Sequence, residues 1–322
     1  MEPIITSKKV TVPKLKIVAN DLSSLSIKEK KEKKEVKEVK EVKEVKEVKE
    51  VVELNKIYHE DCIVGMKRLN NESVDIVICD PPYNIGKDFG NDSDKQDMDK
   101  YLVWCDEWIA ECLRILKPHG TLYIYGFSET LAFIRTRITC NVRWLVWHYT
   151  NKVTPSLNFW QRTHESILCC YKQKPVFNRD DVREPYTDAF LKNAAGKVRK
   201  ATKGRFSDGE TDTVYNAHEG GALPRDVLKI PALAGGAGRV ERVDHPTQKP
   251  LALCEKLLQA SLNKAVKTLV VIPFVGSGSE CVASKNLGLN FVGYEINPDY
   301  IEIANGRLAD KKEAEKETVE II

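Results

Sequence analysis

Apolar and polar positions follow two different periods along this chain, and the alternation between them predicts its architecture. Val74–Cys79 and Leu269–Ile272 are nearly unbroken apolar runs of strand length, the pattern of strands covered on both faces. Lys56–Tyr58, Thr121–Tyr125, Arg143–His148, Ser166–Tyr171 and Phe291–Tyr294 predict further strands. Between them the period changes to that of a helix: Tyr101, Leu102, Cys105, Trp108, Ile109, Cys112, Leu113 and Leu116 share one face, and Lys117-Pro118-His119-Gly120 is expected to end it. Leu251, Cys254, Leu257, Leu258 and Leu262 define the buried face of another helix, with Pro246 expected to open it. Strands alternating with helices imply an α/β fold, a doubly wound, mostly parallel sheet whose ligands bind at the carboxyl ends of the strands.

Periodicity is weak from about Lys174 to Asp244, where glycines cluster at Gly220-Gly221 and Gly235-Gly236-Ala237-Gly238. The chain therefore divides into residues 1–53, 54–173, 174–244, 245–310 and 311–322, the first and last being polar tails. With 322 residues and 42% hydrophobic content it can bury one substantial core and a small second lobe. No apolar run approaches the roughly 18 residues that span a bilayer, and the first twenty or so residues lack a secretory signal's apolar centre, so an intracellular protein is expected. The nine cysteines contain no C-x-x-C pair, which predicts reduced, buried thiols and no metal site. The net charge of +3 conceals a local excess: Lys192, Lys197, Arg199, Lys200, Lys203 and Arg205 lie in a run without an acid. Such a run is either a solvated face or a phosphate-contacting patch.

Two motifs carry chemistry. Asp80-Pro81-Pro82-Tyr83-Asn84 leaves the end of a buried strand. The prolines lack donors, so this loop presents acceptors beside an aromatic face, a combination suited to an exocyclic amino group on a planar ring. The second motif runs strand, turn, helix, strand, acid: Leu269–Ile272, then Pro273-Phe274-Val275-Gly276-Ser277-Gly278, then a helical stretch to Gly288, then Phe291–Tyr294 closing on Glu295. Glycines permit a tight turn and close approach to a ligand, and an acid at the end of the next strand is where nucleotide-binding βαβ units accept from ribose hydroxyls.

Taken in order, Asp80-Pro81-Pro82-Tyr83, His245-Pro246-Thr247-Gln248-Lys249-Pro250, Phe274-Val275-Gly276-Ser277-Gly278 and Gly293-Tyr294-Glu295-Ile296-Asn297 resemble the amino-group DNA methyltransferases in the permuted order called the beta class. The resemblance covers about Leu54 to Leu308. It implies a Rossmann-like methyltransferase fold, S-adenosylmethionine as cofactor and double-stranded DNA as partner, a flipped-out base as target, and room for a cognate restriction endonuclease or a homodimer. In those terms, residues 54–173 are a catalytic half, 174–244 a target-recognition region and 245–310 a cofactor-binding half. Catalytic candidates are Asp80, Pro81, Pro82 and Tyr83. Cofactor candidates are Asp61, Cys62, Asp80, Lys249, Pro273, Phe274, Gly276, Ser277, Gly278, Glu295 and Ile296. DNA candidates are Asn158, Phe159, Trp160 and His164 beside the base, Lys197, Arg199 and Lys200 on phosphate, and Arg225, Arg239 and Arg242 on base edges, each with an ordinary structural or surface role as its alternative.

The chain departs from the family at Ile272, where an Asp near the cofactor's methionine end is usual, and at Ser279-Glu280, which replace a commoner pair of threonines. The resemblance implies an adenine N6 target, because the first motif position is Asp, with cytosine N4 and a non-catalytic DNA-binding partner subunit as the alternatives. No Pro-Cys pair supplies the nucleophile of carbon-5 cytosine methylation. In glutamine-N5 enzymes the glycine motif precedes the Pro-Pro-Tyr loop, the reverse of this order.

From Lys34 to Val51 the triplet Lys-Glu-Val repeats six times. A period of three moves each valine about 60° around a helix of 3.6 residues per turn, so no fixed apolar seam forms. Lys37 and Glu41 pair only in the weaker orientation, and a transient exposed helix competes with disorder. Deletion of residues 1–50 is therefore expected to leave the thermal unfolding midpoint and the activity of the remaining chain unchanged. A drop in either would show that the repeat docks on the body.

Overall fold

The structure, a computed structural model, describes residues 52–87, 94–149, 151, 158–205 and 207–309; the Lys-Glu-Val repeat, the rest of residues 1–51 and the second tail lie outside them. In chain order the elements are β1 (Lys56–His59), α1 (Cys62–Met66), β2 (Val74–Cys79), α2 (Met98–Ile115), β3 (Leu116–Gly126), α3 (Ser128–Arg135), β4 (Asn141–His148) and β5 (His164–Tyr171). There follow α4 (Asp188–Asn193), β6 (Val198–Arg199), β7 (Thr213–Val214), β8 (Val227–Lys229), α5 (Leu251–Ser261), β9 (Leu269–Ile272), α6 (Ser279–Asn286), β10 (Asn290–Glu295) and α7 (Pro298–Ala309).

Eight strands form one sheet in the order β1-β10-β9-β2-β3-β5-β4-β8. Five neighbouring pairs are parallel, and only β5 runs antiparallel to its neighbours β3 and β4. The centre of the sheet explains why β2 and β9 read as continuous apolar runs. Val77 and Cys79 of β2 pack with Trp108, Cys112 and Ile115 of α2 on one face, while Ile76 and Ile78 pack with Leu253, Leu257 and Cys281 on the other. Each face of the strand has its own helical layer, so the fold is doubly wound and alternation disappears from the sequence. The one polar residue inside β2, Asp75, is 6% exposed and accepts from Leu269 N (2.9 Å) and Lys117 Nζ (2.8 Å), tying β2 to the start of β9 and to β3.

Two sequence expectations are corrected. Lys117–Gly120 does not follow a helix end as a loop; α2 stops at Ile115 and these residues already belong to β3. Opposite β2 the register jumps from Val74↔Leu116 to Ile76↔Thr121, so Lys117–Gly120 is extra chain bulging from the strand, a place where Pro118 sacrifices no ladder donor. The second correction is that α5 begins at Leu251 with Pro250, not Pro246, as its preceding residue. The stretch 174–244, irregular in sequence, holds the short antiparallel β6–β7 ladder and also lends β8 to the edge of the main sheet. Among the described residues no helix is long and apolar enough to cross a membrane.

The carboxyl ends of β1 and β10 lie level, with His59 opposite Glu295, β9 stops two residues short, with Ile272 opposite Gly293, and β2 ends on the same side. At that edge Gly278 takes φ +79°, and a Cβ there would stand 2.7 Å from Ala304 Cβ of α7. Left-handed backbone and overpacking act together, so Gly278→Ala is expected to cost about 2–4 kcal/mol. The check is a urea titration: the midpoint should fall with its slope unchanged, and a midpoint equal to the parent's would mean the turn tolerates a side chain.

Candidate active site

Asp80 is the first residue after β2, and the loop that carries it is braced from beneath. Asp94, fully buried, accepts from the backbone N–H groups of Asn84 (2.5 Å), Ile85 (3.2 Å) and Lys87 (2.7 Å). Asn84, with φ +58°, exchanges side-chain bonds with Gln96 O (3.0 Å) and Gln96 N (2.7 Å). The Tyr101 hydroxyl donates to Pro82 O (2.8 Å), and Thr130 Oγ1 donates to Tyr83 O (3.2 Å). Among the described residues no donor reaches the Pro81 carbonyl.

Lys249 arrives at Asp80 from the turn before α5. Its ammonium donates to both Asp80 oxygens (2.8 and 2.7 Å) and to Thr247 O (3.3 Å), and lies 3.7 Å from Glu165 Oε2 of β5. The Tyr83 hydroxyl joins the cluster, donating to Asp80 Oδ1 (2.8 Å) and reaching Glu165 Oε2 (3.3 Å). Lys249 is only 2% exposed. Burial opposes its charge, yet the Asp80 and Glu165 carboxylates hold the ammonium above the ordinary lysine range. Burial, with those same two acids, pushes the Tyr83 phenol well up, so it remains a donor.

The turn bearing Lys249 is itself secured. Gln248 accepts from Val243 N and donates to Glu241 O, both at 2.8 Å, and Ser279 Oγ donates to Lys249 O (2.7 Å). His245 packs edge-on to Tyr300, ring centroids 4.6 Å apart, and fills the space above Gly276; burial pushes its pKa down to about 4, so it is neutral.

Two cavities meet at this cluster. The first runs along the strand ends and is lined by Asp61 and Cys62 at the start of α1, by Asp80, Pro81, Pro82 and Tyr83, by Lys249, by Pro273, Phe274, Gly276 and Ser277, and by Glu295 and Ile296. Of the cofactor candidates named from sequence, Gly278 alone is missing from this wall; it packs against α7 instead. Asp61 caps α1, accepting from Ile63 N and Val64 N. Glu295 accepts from the N–H groups of Gly276 (2.8 Å), Ile296 (2.9 Å) and Asn297 (2.8 Å); burial raises its pKa, and these bonds partly offset the rise. Trp104, Tyr294 and Glu280 also line this cavity, and the buried Tyr294 hydroxyl has no partner among the described residues.

The second cavity shares Tyr83, Ile85, His245 and Thr247 with the first. Its aromatic wall is Phe127, Trp147 and Tyr149, with Glu165, Arg162 and Arg242 among its polar groups. Asn151 clamps Ala232 on the facing segment through paired bonds of 2.7 and 2.8 Å. Tyr83 sits edge-on to Phe127 (5.2 Å), and Arg162 stacks over the same ring (4.1 Å) while gripping Glu129.

The expected base-side residues are distributed differently. Phe159 and Trp160 are 78% and 87% exposed and line neither cavity, and Asn158 beside them is also exposed. His164 contacts Ser128 Oγ (3.4 Å) within a hydroxyl network that includes Ser166 and Trp144. Lys197, Arg199 and Lys200 are exposed on or beside β6, with Lys200 paired to Asp212 (2.8 Å). Arg225 pairs with Glu184 (3.2 Å), Arg239 is exposed, and Arg242 alone of the three reaches a cavity. Sequence reasoning missed Glu165, Asp94, Trp147, Tyr149 and Glu280 as site residues. Glu165 alone had a local signal, its place directly after His164.

The sequence profile of the DNA methylase family (N6_N4_Mtase) matches residues 74–306, a span that includes the Asp80 loop, Lys249 and Glu295. The chain belongs to this DNA methylase family. It is similar to the Type II methyltransferase M.HpaI of Haemophilus parainfluenzae, 33% identical over 255 residues that cover 77% of this chain and 72% of that protein. It is also similar to the DNA adenine methyltransferase YhdJ of Escherichia coli (strain K12), 32% identical over 265 residues covering 80% and 83%. Among solved structures, the PvuII DNA methyltransferase (cytosine-N4-specific) has the same fold, with a TM-score of 0.57 and 15% identity over 80% of this chain and 86% of that one. As a DNA methylase, the chain places its Asp-Pro-Pro-Tyr loop where two cavities touch.

Removing Lys249 leaves two partly buried acids without their counter-charge. Lys249→Met is expected to destabilise the protein by about 3–5 kcal/mol, and adding Asp80→Asn should return much of the loss. Equilibrium denaturation of the single and double variants measures both. If the double variant is less stable than Lys249→Met, the pairing is not what holds the lysine.

Proposed function

We propose that this methylase transfers a methyl group from S-adenosylmethionine to the N6 amino group of an adenine flipped out of double-stranded DNA. The wall shared by the two cavities supports the reading: a donor in the first and a base in the second would meet at Tyr83, whose hydroxyl donates to Asp80 on the first cavity's side. The first cavity fits the donor by its chemistry. Glu295 at the end of β10 has acceptor capacity for ribose hydroxyls, Asp61, Cys62 and Ile296 line the same cavity as the Tyr294 hydroxyl, which has no partner among the described residues, and Gly276 keeps the turn narrow. When bound, the donor supplies a sulfonium methyl group already activated for displacement.

The amino nitrogen is a weak nucleophile because its lone pair is delocalised into the ring. Asp80 and the Pro81 carbonyl each accept one of its N–H groups, which favours a pyramidal nitrogen with the lone pair free to attack. Lys249 and Tyr83 orient the Asp80 carboxylate, so most of the rate comes from alignment. Extruding the base costs a few kcal/mol. Stacking on the aromatic wall of the second cavity offsets it by about 1–3 kcal/mol. Lys197, Arg199 and Lys200 are assigned to phosphate and Arg242 to the base side, where the second cavity holds it. A cognate restriction endonuclease would read the same site.

Asp80→Asn is expected to abolish methyl transfer while leaving donor affinity within a few-fold, and Glu295→Gln to weaken donor binding by about tenfold through loss of a charged acceptor. Calorimetric titration and methyl incorporation separate the two effects. Sequencing that distinguishes modified bases in DNA from cells expressing the chain decides the target: N6-methyladenine is expected, N4-methylcytosine would replace adenine in the reading, and no modified base with no donor binding would leave a non-catalytic DNA-binding subunit.

A further inference from the structure

Six carboxylates line the first cavity, and five are already engaged. Asp80 is held by Lys249 and Tyr83, Glu60 pairs with Arg68, Asp61 caps α1, Asp94 takes three backbone N–H groups, and Glu295 takes three more. The sixth, Glu280, is 3% exposed at the second position of α6, and among the described residues its carboxylate has only the Cys254 thiol at 3.4 Å and its own backbone N–H as donors. A thiol is a weak donor, and a buried carboxylate with so little support is costly unless something cationic completes it. No ion can be held at the end of β9, where Ile272 is fully buried in the apolar cluster.

We propose that Glu280 is the residue that binds the α-ammonium group of the methyl donor's methionine moiety, a role that rests on the donor assignment above. The charge balance supports this. Facing Glu280 are Cys254 of α5, Tyr125 of β3, Asp80 after β2 and Lys249 before α5. Burial, then Asp80, push its pKa up to about 7, and Lys249, the Glu280 backbone N–H and the Cys254 thiol only partly compensate. An incoming ammonium group stabilises the ionised form and removes the strain of an isolated buried charge. The alternative is a purely structural acid that keeps its proton and packs against Cys254.

The test uses two probes, S-adenosylhomocysteine and its analogue lacking the α-amino group, titrated calorimetrically into the full chain. Wild type should prefer the amino-bearing probe, and Glu280→Gln should weaken that probe by about tenfold while leaving the des-amino probe unchanged. In wild type the preference should also fade as pH drops from about 8 to about 6, because Glu280 must lose its proton to bind and is progressively protonated below its raised pKa. This second measurement needs no variant, so a misfolded Glu280→Gln protein does not protect the proposal. Equal weakening of both probes by the substitution, or a preference that is independent of pH and of Glu280, overturns it while leaving the donor assignment intact. If wild type binds neither probe, the donor assignment fails and this proposal with it.

Discussion

A single buried ammonium group, Lys249 Nζ, holds the carboxylate of Asp80 and stands beside that of Glu165, and the arrangement of the site depends on it. A buried ammonium group costs several kcal/mol unless it is paired, and this cluster of one buried cation and two partly buried acids persists only if its hydrogen-bonding positions are met. Here they are met by residues far apart in sequence. Thr247 O and the Tyr83 hydroxyl complete the contacts, and each belongs to a segment fixed by its own bonds. The cluster works as a registration device, since the loop after β2, strand β5 and the turn before α5 must all be in place before the charge is balanced.

The sheet makes that convergence possible. Parallel pairing of β2 with β9 and β3 puts the Asp80 loop and the glycine turn on one edge, while β5, running the other way, begins at that edge and presents Glu165 near its start. An all-parallel sheet would have placed the start of β5 at the opposite edge. The antiparallel strand is thus the topological feature that supplies the site's second acid and, with β4 beside it, the aromatic wall of Trp147 and Tyr149.

This also explains what could be read from the sequence and what could not. Strands β2 and β9 were legible to the residue because a strand buried on both faces is a continuous apolar run. The Asp80 and Gly276 loops were legible because turn chemistry is local. Glu165 was legible only as the neighbour of His164, because its partners are Tyr83 and Lys249, 82 residues before it and 84 after, and its local sequence does not encode those contacts. Asp94 looked like one polar residue among many in a loop, and only its three backbone donors distinguish it. The end of α2 was misplaced because Lys117-Pro118-His119-Gly120 has the composition of a helix stop, whereas the register against β2 makes it a bulge. Pro246 and Pro250 were interchangeable as helix starts until Lys249 had to point inward.

The lone pairs of Asp80 show how a stabilising ion pair remains compatible with binding a substrate. A carboxylate has about four acceptor positions. Oδ1 accepts from Lys249 and from Tyr83, whereas Oδ2 accepts from Lys249 only. Among the described residues, then, one position on Oδ2 is open, and the Pro81 carbonyl next to it is unoccupied as well. Under the proposed function, two acceptors on adjacent residues would match the two N–H groups of one exocyclic amine, and neither would have to surrender a bond when the amine arrives. An asparagine at this position has a single acceptor oxygen, which Lys249 and Tyr83 would saturate, and its amide would present N–H groups toward the incoming amine. The charge on residue 80 therefore serves two partners simultaneously, anchoring the lysine on one side and keeping an acceptor free on the other.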